Sequence, residues 1–232
     1  MIDPCFIVGG GPSLRGFDYH LLDAKHVIAV NQAIWHLPQA QHFITMDATW
    51  LQKSGVLCDT SLSQTWGNAF HHHSAMKTFV LALSEPRLEQ LGPARFIDHR
   101  YEMVYDLSMF NRVVRASGYG GAMGDSFESF RAGSDSGYSA LQLAVILGYK
   151  TIYLLGFDFC TSGQMTHGHD DYHPQDVIAY DHRLREYLTP YPQAFDSLRA
   201  KGIHVFSGSH ISRLNQYILY VDVRYLLASD SL

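Results

Sequence analysis

The chain has 232 residues, 47% hydrophobic and 17% charged, enough apolar material for a sizeable core and not the composition of a disordered polymer. Seventeen Lys and Arg against 22 Asp and Glu leave a formal net charge of −5, which argues against general nucleic-acid binding, since that needs surplus cations to displace phosphate counterions. Cys5, Cys58 and Cys160 are scattered and form no CxxC pair, which argues against a disulfide framework or structural zinc and for a reducing, cytoplasmic setting.

From the N-terminus, MIDPCFIVGG carries no basic region of a signal peptide and runs directly into a strand, Cys5 to Val8. Gly9-Gly10-Gly11-Pro12-Ser13-Leu14 follows. Glycines let an anion approach the backbone, and Pro12 suits the first turn of a helix, whose free N–H groups and dipole favour phosphate. An ordinary glycine turn is the alternative. Leu14 stands where a dinucleotide fingerprint needs glycine, and no Lys-Ser/Thr follows as in a P-loop. His26 to Val30 and His42 to Met46 read as the next two strands. Asn31, Gln32 and Asp47 come just after them; an Asn side chain can donate to and accept from a base edge or a ribose hydroxyl, whereas helix capping is the other role open to such a residue. His71-His72-His73 reads as a surface loop. Thr78 to Leu83 and Ala94 to Ile97 are the fourth and fifth apolar runs.

Residues 104–131 are rich in Gly, Ser, Met and Phe without a clear period, which predicts a lid or a surface insertion. Gly133 to Gly137 then opens a helix over Ser136 to Leu147, gathering hydroxyls and N–H groups into a second candidate anion site, or an ordinary Ser or Asp cap. Thr151 to Leu155 is a strand ending in Gly156-Phe157-Asp158-Phe159. The apolar stretch Ala140 to Phe159 is broken at Gly148-Tyr149-Lys150, so it reads as helix, turn and strand and not as a membrane span. His167, His169, Asp170, Asp171 and His173 fall within seven residues. Imidazoles titrate near pH 6.5, which suits general acid–base work; the spacing of His167, His169 and His173 could alternatively ligate a divalent metal, and a solvated loop is the plain reading. His182 lies on the following helix, Asp176 to Leu188, and could point back. A helix from Pro190 to Ala200 and a strand at His204 to Phe206 complete the pattern. The aromatic C-terminus, Tyr217 to Leu227, could be a subunit interface of a homo-oligomer or could complete the core.

Runs apolar on both faces, alternating with helices, predict an α/β Rossmann-like, doubly wound, mainly parallel sheet with helices on both faces, one domain over residues 1–232. Ligands of such sheets sit beyond the carboxyl ends of the strands, where strand order reverses.

The motif order GGGPSL at Gly9–Leu14, Val30-Asn31-Gln32, Ser136-Gly137, Leu147 to Phe159 and Phe206-Ser207-Gly208-Ser209 resembles that of bacterial lipooligosaccharide sialyltransferases. It also resembles that of the accessory flagellin glycosyltransferases and hydroxymethylpterin diphosphokinase-like proteins. Gly10 stands where the sialyltransferases have Asn and Cys160 where they have Tyr, so the resemblance implies the broad family and no single activity. It implies a nucleotide or nucleotide-sugar ligand, with Gly10, Gly11, Pro12 and Ser13 near phosphate. Asn31 and Gln32 would face the ribose or sugar, Ser136 and Gly137 would lie against the nucleotide, and Asp158 and Phe159 would sit near base and ribose; Asp47, by its place after the third strand, is a further nucleotide-binding candidate. A histidine would deprotonate the acceptor, His173 first, then His167 and His182. The function implied is sugar transfer from a nucleotide-sugar, a CMP-sugar foremost, to the hydroxyl of a glycan or small alcohol. The alternatives are ATP-dependent diphosphate transfer and a non-catalytic nucleotide-binding or assembly protein. No cofactor is required, with Mg²⁺ or Mn²⁺ as optional ions.

Overall fold

A computed structural model describes residues 3–47, 50–51, 69–81, 95–98, 103–106, 109–118, 123–169 and 176–229. Its strands are β1 (Cys5–Val8), β2 (His26–Val30), β3 (His42–Thr45), β4 (Met76–Leu81), β5 (Arg95–Asp98), β6 (Met103–Asp106), β7 (Arg112–Arg115), β8 (Thr151–Leu155) and β9 (His204–Ser207). The helices are α1 (Ser136–Ile146), α2 (Val177–Leu188), α3 (Tyr191–Ala200) and α4 (Val223–Ser229).

Seven strands form one sheet in the order β7-β4-β3-β2-β1-β8-β9. Every pairing in it is parallel. From β1 the chain steps outward through β2, β3, β4 and β7, then returns to place β8 on the other side of β1. Strand order therefore reverses between β1 and β8, and a ligand crevice belongs at their carboxyl ends. The doubly wound expectation holds.

Alternation along the strands builds the two faces. Cys5, Ile7, Ile28, Val30, Ile44, Ile152 and Leu154 pack with residues of α1 and α3. Phe6, Val8, Val27, Ala29, Phe43 and Phe79 pack with Leu14, Phe17, Leu22 and, from α4, Val223 and Leu227. Each fully buried Val, Leu, Ile or Phe side chain among them contributes about 1.5–3 kcal/mol. On the second face the connections near the site are 3₁₀ turns, Pro12–Leu14, Tyr19–Leu22 and Asn31–His36.

Two expectations are corrected. The apolar run at Ala94 to Ile97 supplies β5, which pairs antiparallel with β6 in a separate two-stranded sheet. Within the stretch 104–131, Arg112–Arg115 is β7, an edge strand paired parallel to β4. Its pattern is short because only Val114 is buried, while Arg112 and Arg115 are exposed, as suits a sheet edge. The Arg112 guanidinium lies 3.9 Å over the Phe127 ring.

The C-terminal segment completes the core in part. Ile218, Val223 and Leu227 enter the core, while Tyr217, Leu219, Tyr220 and Tyr225 stay exposed. Among the described residues no helix is long and apolar enough to cross a membrane.

Candidate functional site

The glycine turn after β1 continues the ladder to β8. Gly9 N–H donates to Leu155 O at 2.8 Å and Gly11 N–H to Gly156 O at 2.9 Å. Gly11 is required by crowding: a Cβ there would lie 2.5 Å from Asp158 Oδ2 and 2.6 Å from Gly156 O. Asp158 is buried and accepts two bonds from Ser13, at 2.7 Å from the backbone N–H and 2.7 Å from Oγ.

The protein's own carboxyl group thus occupies both Ser13 donors, the backbone N–H and the hydroxyl, that the sequence offers to phosphate. A phosphate at Ser13 would have to displace the Asp158 carboxyl group from these two donors. Phe159 is buried as well, in left-handed backbone at φ 53°, with its ring edge-on to Tyr191 at 5.0 Å.

The opening of α1 is closed in the same way. Asp135 is its N-cap: Oδ1 accepts from Tyr138 N–H and from the Tyr191 hydroxyl, each at 3.0 Å. Burial pushes the Asp135 carboxyl up to about 6, against the lowering effect of its hydrogen bonds. Ser136 Oγ accepts from Met46 N–H at 3.1 Å, tying α1 to the end of β3. A Cβ on Gly137 would lie 2.4 Å from the Phe157 ring. The capping reading applies here, and Ser136 and Gly137 serve close packing. Asp47 caps too, accepting from Trp50 N–H at 3.0 Å.

The loop after β8 is braced from two sides. Ser212 Oγ donates to Phe157 O at 2.6 Å, Arg213 N–H donates to Asp158 O at 2.9 Å, and the Arg213 guanidinium donates to Phe159 O. The same guanidinium grips both Asp181 oxygens, at 3.0 and 2.8 Å, while Thr161 N–H donates to Asp181 Oδ1 at 3.2 Å. Arg213 holds the Asp181 carboxyl below its ordinary value. Sequence reading missed this pair because 32 residues separate its members; the Ser-Arg step shortly after Phe206-Ser207-Gly208-Ser209 was the signal available.

The histidine loop lies on the glycine turn. Gly168 N–H donates to Gly10 O at 3.0 Å, and a Cβ on Gly168 would come within 3.1 Å of Gly11 O. His167 Cδ2 lies 3.4 Å from where a Gly10 Cβ would stand. Its Nδ1 is 3.0 Å from Thr166 Oγ1 and its Nε2 is 3.2 Å from the Tyr180 hydroxyl. His169 neighbours it, with ring centroids 5.3 Å apart. His173, Asp170 and Asp171 lie outside the described residues. His182 is exposed on α2, whose half-buried face is formed by Val177, Tyr180, Asp181, Leu184, Tyr187 and Leu188. Among the described residues no group of three or more His, Cys, Asp or Glu could hold a metal ion. His73 is part of the structure and not of a loop site, with Nε2 bonded to Leu37 O at 2.9 Å and Nδ1 accepting from Ala75 N–H at 3.0 Å.

Asn31 differs from the capping residues. The register pairing Val8 with Ala29, carried two places further, brings Gly10 and Asn31 to neighbouring strand ends. Asn31 is in left-handed backbone at φ 53°, and its buried Oδ1 has no hydrogen-bond partner among the described residues. Gln32 follows it, half-buried, in the 3₁₀ turn. The structure therefore sets His167 against Gly10, with Tyr180 bonded to it from α2 and Asn31 at the end of the neighbouring strand β2.

No protein-family model matches the chain, and no curated protein matches it in sequence. Solved structures similar to it include the sialyltransferase CstII from Campylobacter jejuni in complex with CMP-3FNeuAc, at TM-score 0.44 and 14% identity over 94% of this chain and 86% of that one. The same enzyme in complex with cytidine-5'-monophosphate gives TM-score 0.45 and 16% identity over 94% and 85%. The MAf glycosyltransferase from Magnetospirillum magneticum AMB-1 gives TM-score 0.40 and 14% identity, covering 98% of this chain but only 36% of that one. At such identities the chemistry of this chain rests on its own side chains.

Proposed function

We propose that the chain is a glycosyltransferase-like enzyme that moves a sugar from a nucleotide-sugar, with a CMP-sugar as the first donor to test, to an acceptor hydroxyl. The observation that carries this reading is the orphaned Asn31 Oδ1 beside the glycine turn. A buried acceptor left unpaired costs about 1–3 kcal/mol, and strained backbone at a crevice edge accompanies ligand sites. An N–H of a base or a ribose hydroxyl would offset that cost.

With Asp158 and Asp135 on the helix N-termini, the nucleotide runs along the half-exposed Gly9–Gly11 backbone, and its phosphate lies towards the histidine loop. The acceptor oxygen attacks the anomeric carbon. The bond from that carbon to the phosphate oxygen breaks, the nucleotide leaves with the electron pair, and the hydroxyl proton passes to a histidine. His173 is the base in this reading, on sequence grounds, with His167 beside the leaving phosphate. No metal is required.

The test is thermal unfolding with CMP, CDP, UDP, GDP, ADP, ATP and CMP-sialic acid, each with and without Mg²⁺ or Mn²⁺. A ligand at 100 times its dissociation constant stabilises the native state by about 2.7 kcal/mol. Cytidine nucleotides raise the melting temperature of the wild type, and Asn31→Gly, which relieves the left-handed backbone and removes the orphaned amide, loses that rise while melting higher without ligand. A wild type indifferent to every nucleotide sinks the reading.

A further inference from the structure

We infer that Tyr180 is a positioning residue that sets the ring plane and the tautomer of His167 over the glycine turn. The imidazole is held at both nitrogens, by Thr166 Oγ1 at Nδ1 and by the Tyr180 hydroxyl at Nε2, with the His167 and Tyr180 ring centroids 5.6 Å apart and the planes tilted by 39°. A neutral imidazole donates from one nitrogen and accepts at the other, so the direction of the Tyr180 bond fixes the direction of the other. A phenol, with a pKa of about 10, is a stronger donor than an aliphatic hydroxyl and a poorer acceptor. Tyr180 therefore donates to Nε2, and Nδ1–H donates to Thr166 Oγ1. His167 is held as the Nδ1–H tautomer, with the lone pair on Nε2.

Each partner is anchored independently. The histidine loop is fixed to the turn by the Gly168 N–H bond to Gly10 O. Helix α2 is fixed by Asp181, the residue after Tyr180, which holds Arg213 with two bonds and accepts from Thr161 N–H. That grip sets the rotation of α2 and aims the phenol at the loop. Thr166 is buried, so the acceptor of Nδ1–H is confined as well. The tautomer does not depend on the reaction; its use in turnover, keeping Nε2 as the nitrogen that takes up a proton beside the leaving phosphate, rests on the function proposed above.

The experiment is two-bond ¹H–¹⁵N correlation spectroscopy of protein labelled with ¹⁵N-histidine, at a pH about two units above the ordinary imidazole value of about 6.5. His167 is assigned by the signal lost in His167→Asn. The wild type shows a protonated Nδ1 and an unprotonated Nε2 at His167, Tyr180→Phe moves the proton towards Nε2, and Thr166→Val, which deletes the Nδ1–H acceptor, moves it the same way. A wild-type His167 protonated on Nε2, or a Tyr180→Phe spectrum identical to wild type, overturns the inference. Where transfer is measurable, Tyr180→Phe lowers kcat about 2- to 10-fold at unchanged KM, the range one hydrogen bond supplies. The expected tautomer with no nucleotide bound by the wild type defeats the proposed function and leaves the positioning intact; transfer with an unmoved Tyr180→Phe spectrum does the reverse.

Discussion

Asp135 is the residue at which folding and proton binding are most tightly linked. Burial raises its carboxyl from an ordinary 3.8 to about 6 in the native state, so the native chain holds this proton more firmly than the unfolded chain. Stability from this site is greatest below about pH 4, declines as pH rises, and is fully lost above about pH 6. The loss is on the order of 3 kcal/mol for a shift of this size. Asp181 is displaced the other way by Arg213, so its contribution is present at neutral pH and disappears only as pH falls below the ordinary carboxylate range. Asp135→Asn keeps an acceptor for Tyr138 N–H and removes the titration. Urea unfolding of the variant between pH 4 and 7 should show a flatter stability profile than the wild type, with the variant ahead at pH 7. Parallel profiles would mean that the carboxyl titrates normally.

At the scale of elements, the short apolar runs were legible. Cys5 to Val8, His26 to Val30 and Thr151 to Leu155 are strands with the same ends that the sequence suggests, and Asp176 is the cap of α2 and not its first residue. Strand β7 was not legible, because a four-residue edge strand with one buried side chain carries no period. Nor was the role of Asp158: its position after β8 was plain, but its bond to Ser13 spans 145 residues, and spacing alone cannot show a carboxylate reaching a turn that far back in the chain. The brace between the β8 and β9 loops follows the same logic and gives a prediction. None of the residues of α2 is buried, so its attachment depends on contacts such as Asp181 with Arg213. Arg213→Ala should speed amide exchange across Val177–Leu188 by roughly an order of magnitude while the protection of α1 is unchanged. Equal protection of α2 in both proteins would show that the pair is ornamental to its attachment.

For the whole molecule, the reversal of strand order between β1 and β8 was the feature on which the sequence could speak most directly, since the motifs at Gly9–Leu14, Asn31, Asp47 and Asp158 each followed a strand and so fell on one edge. What the sequence could not supply was the sign of the charge there. Carboxylates rest against both helix openings that face this edge, and the chain as a whole carries −5. On the function proposed above, a nucleotide approaches uphill in potential, the opposite of electrostatic steering. Added salt shortens the Debye length from about 30 Å at 0.01 M to about 8 Å at 0.15 M, so the association rate of a bound nucleotide, followed by stopped flow, should rise with ionic strength where most phosphate-binding proteins slow down. Two buried aspartates would then tune the rate of encounter as well as the shape of the crevice, and this protein would capture its ligand fastest under the salt conditions that impair others.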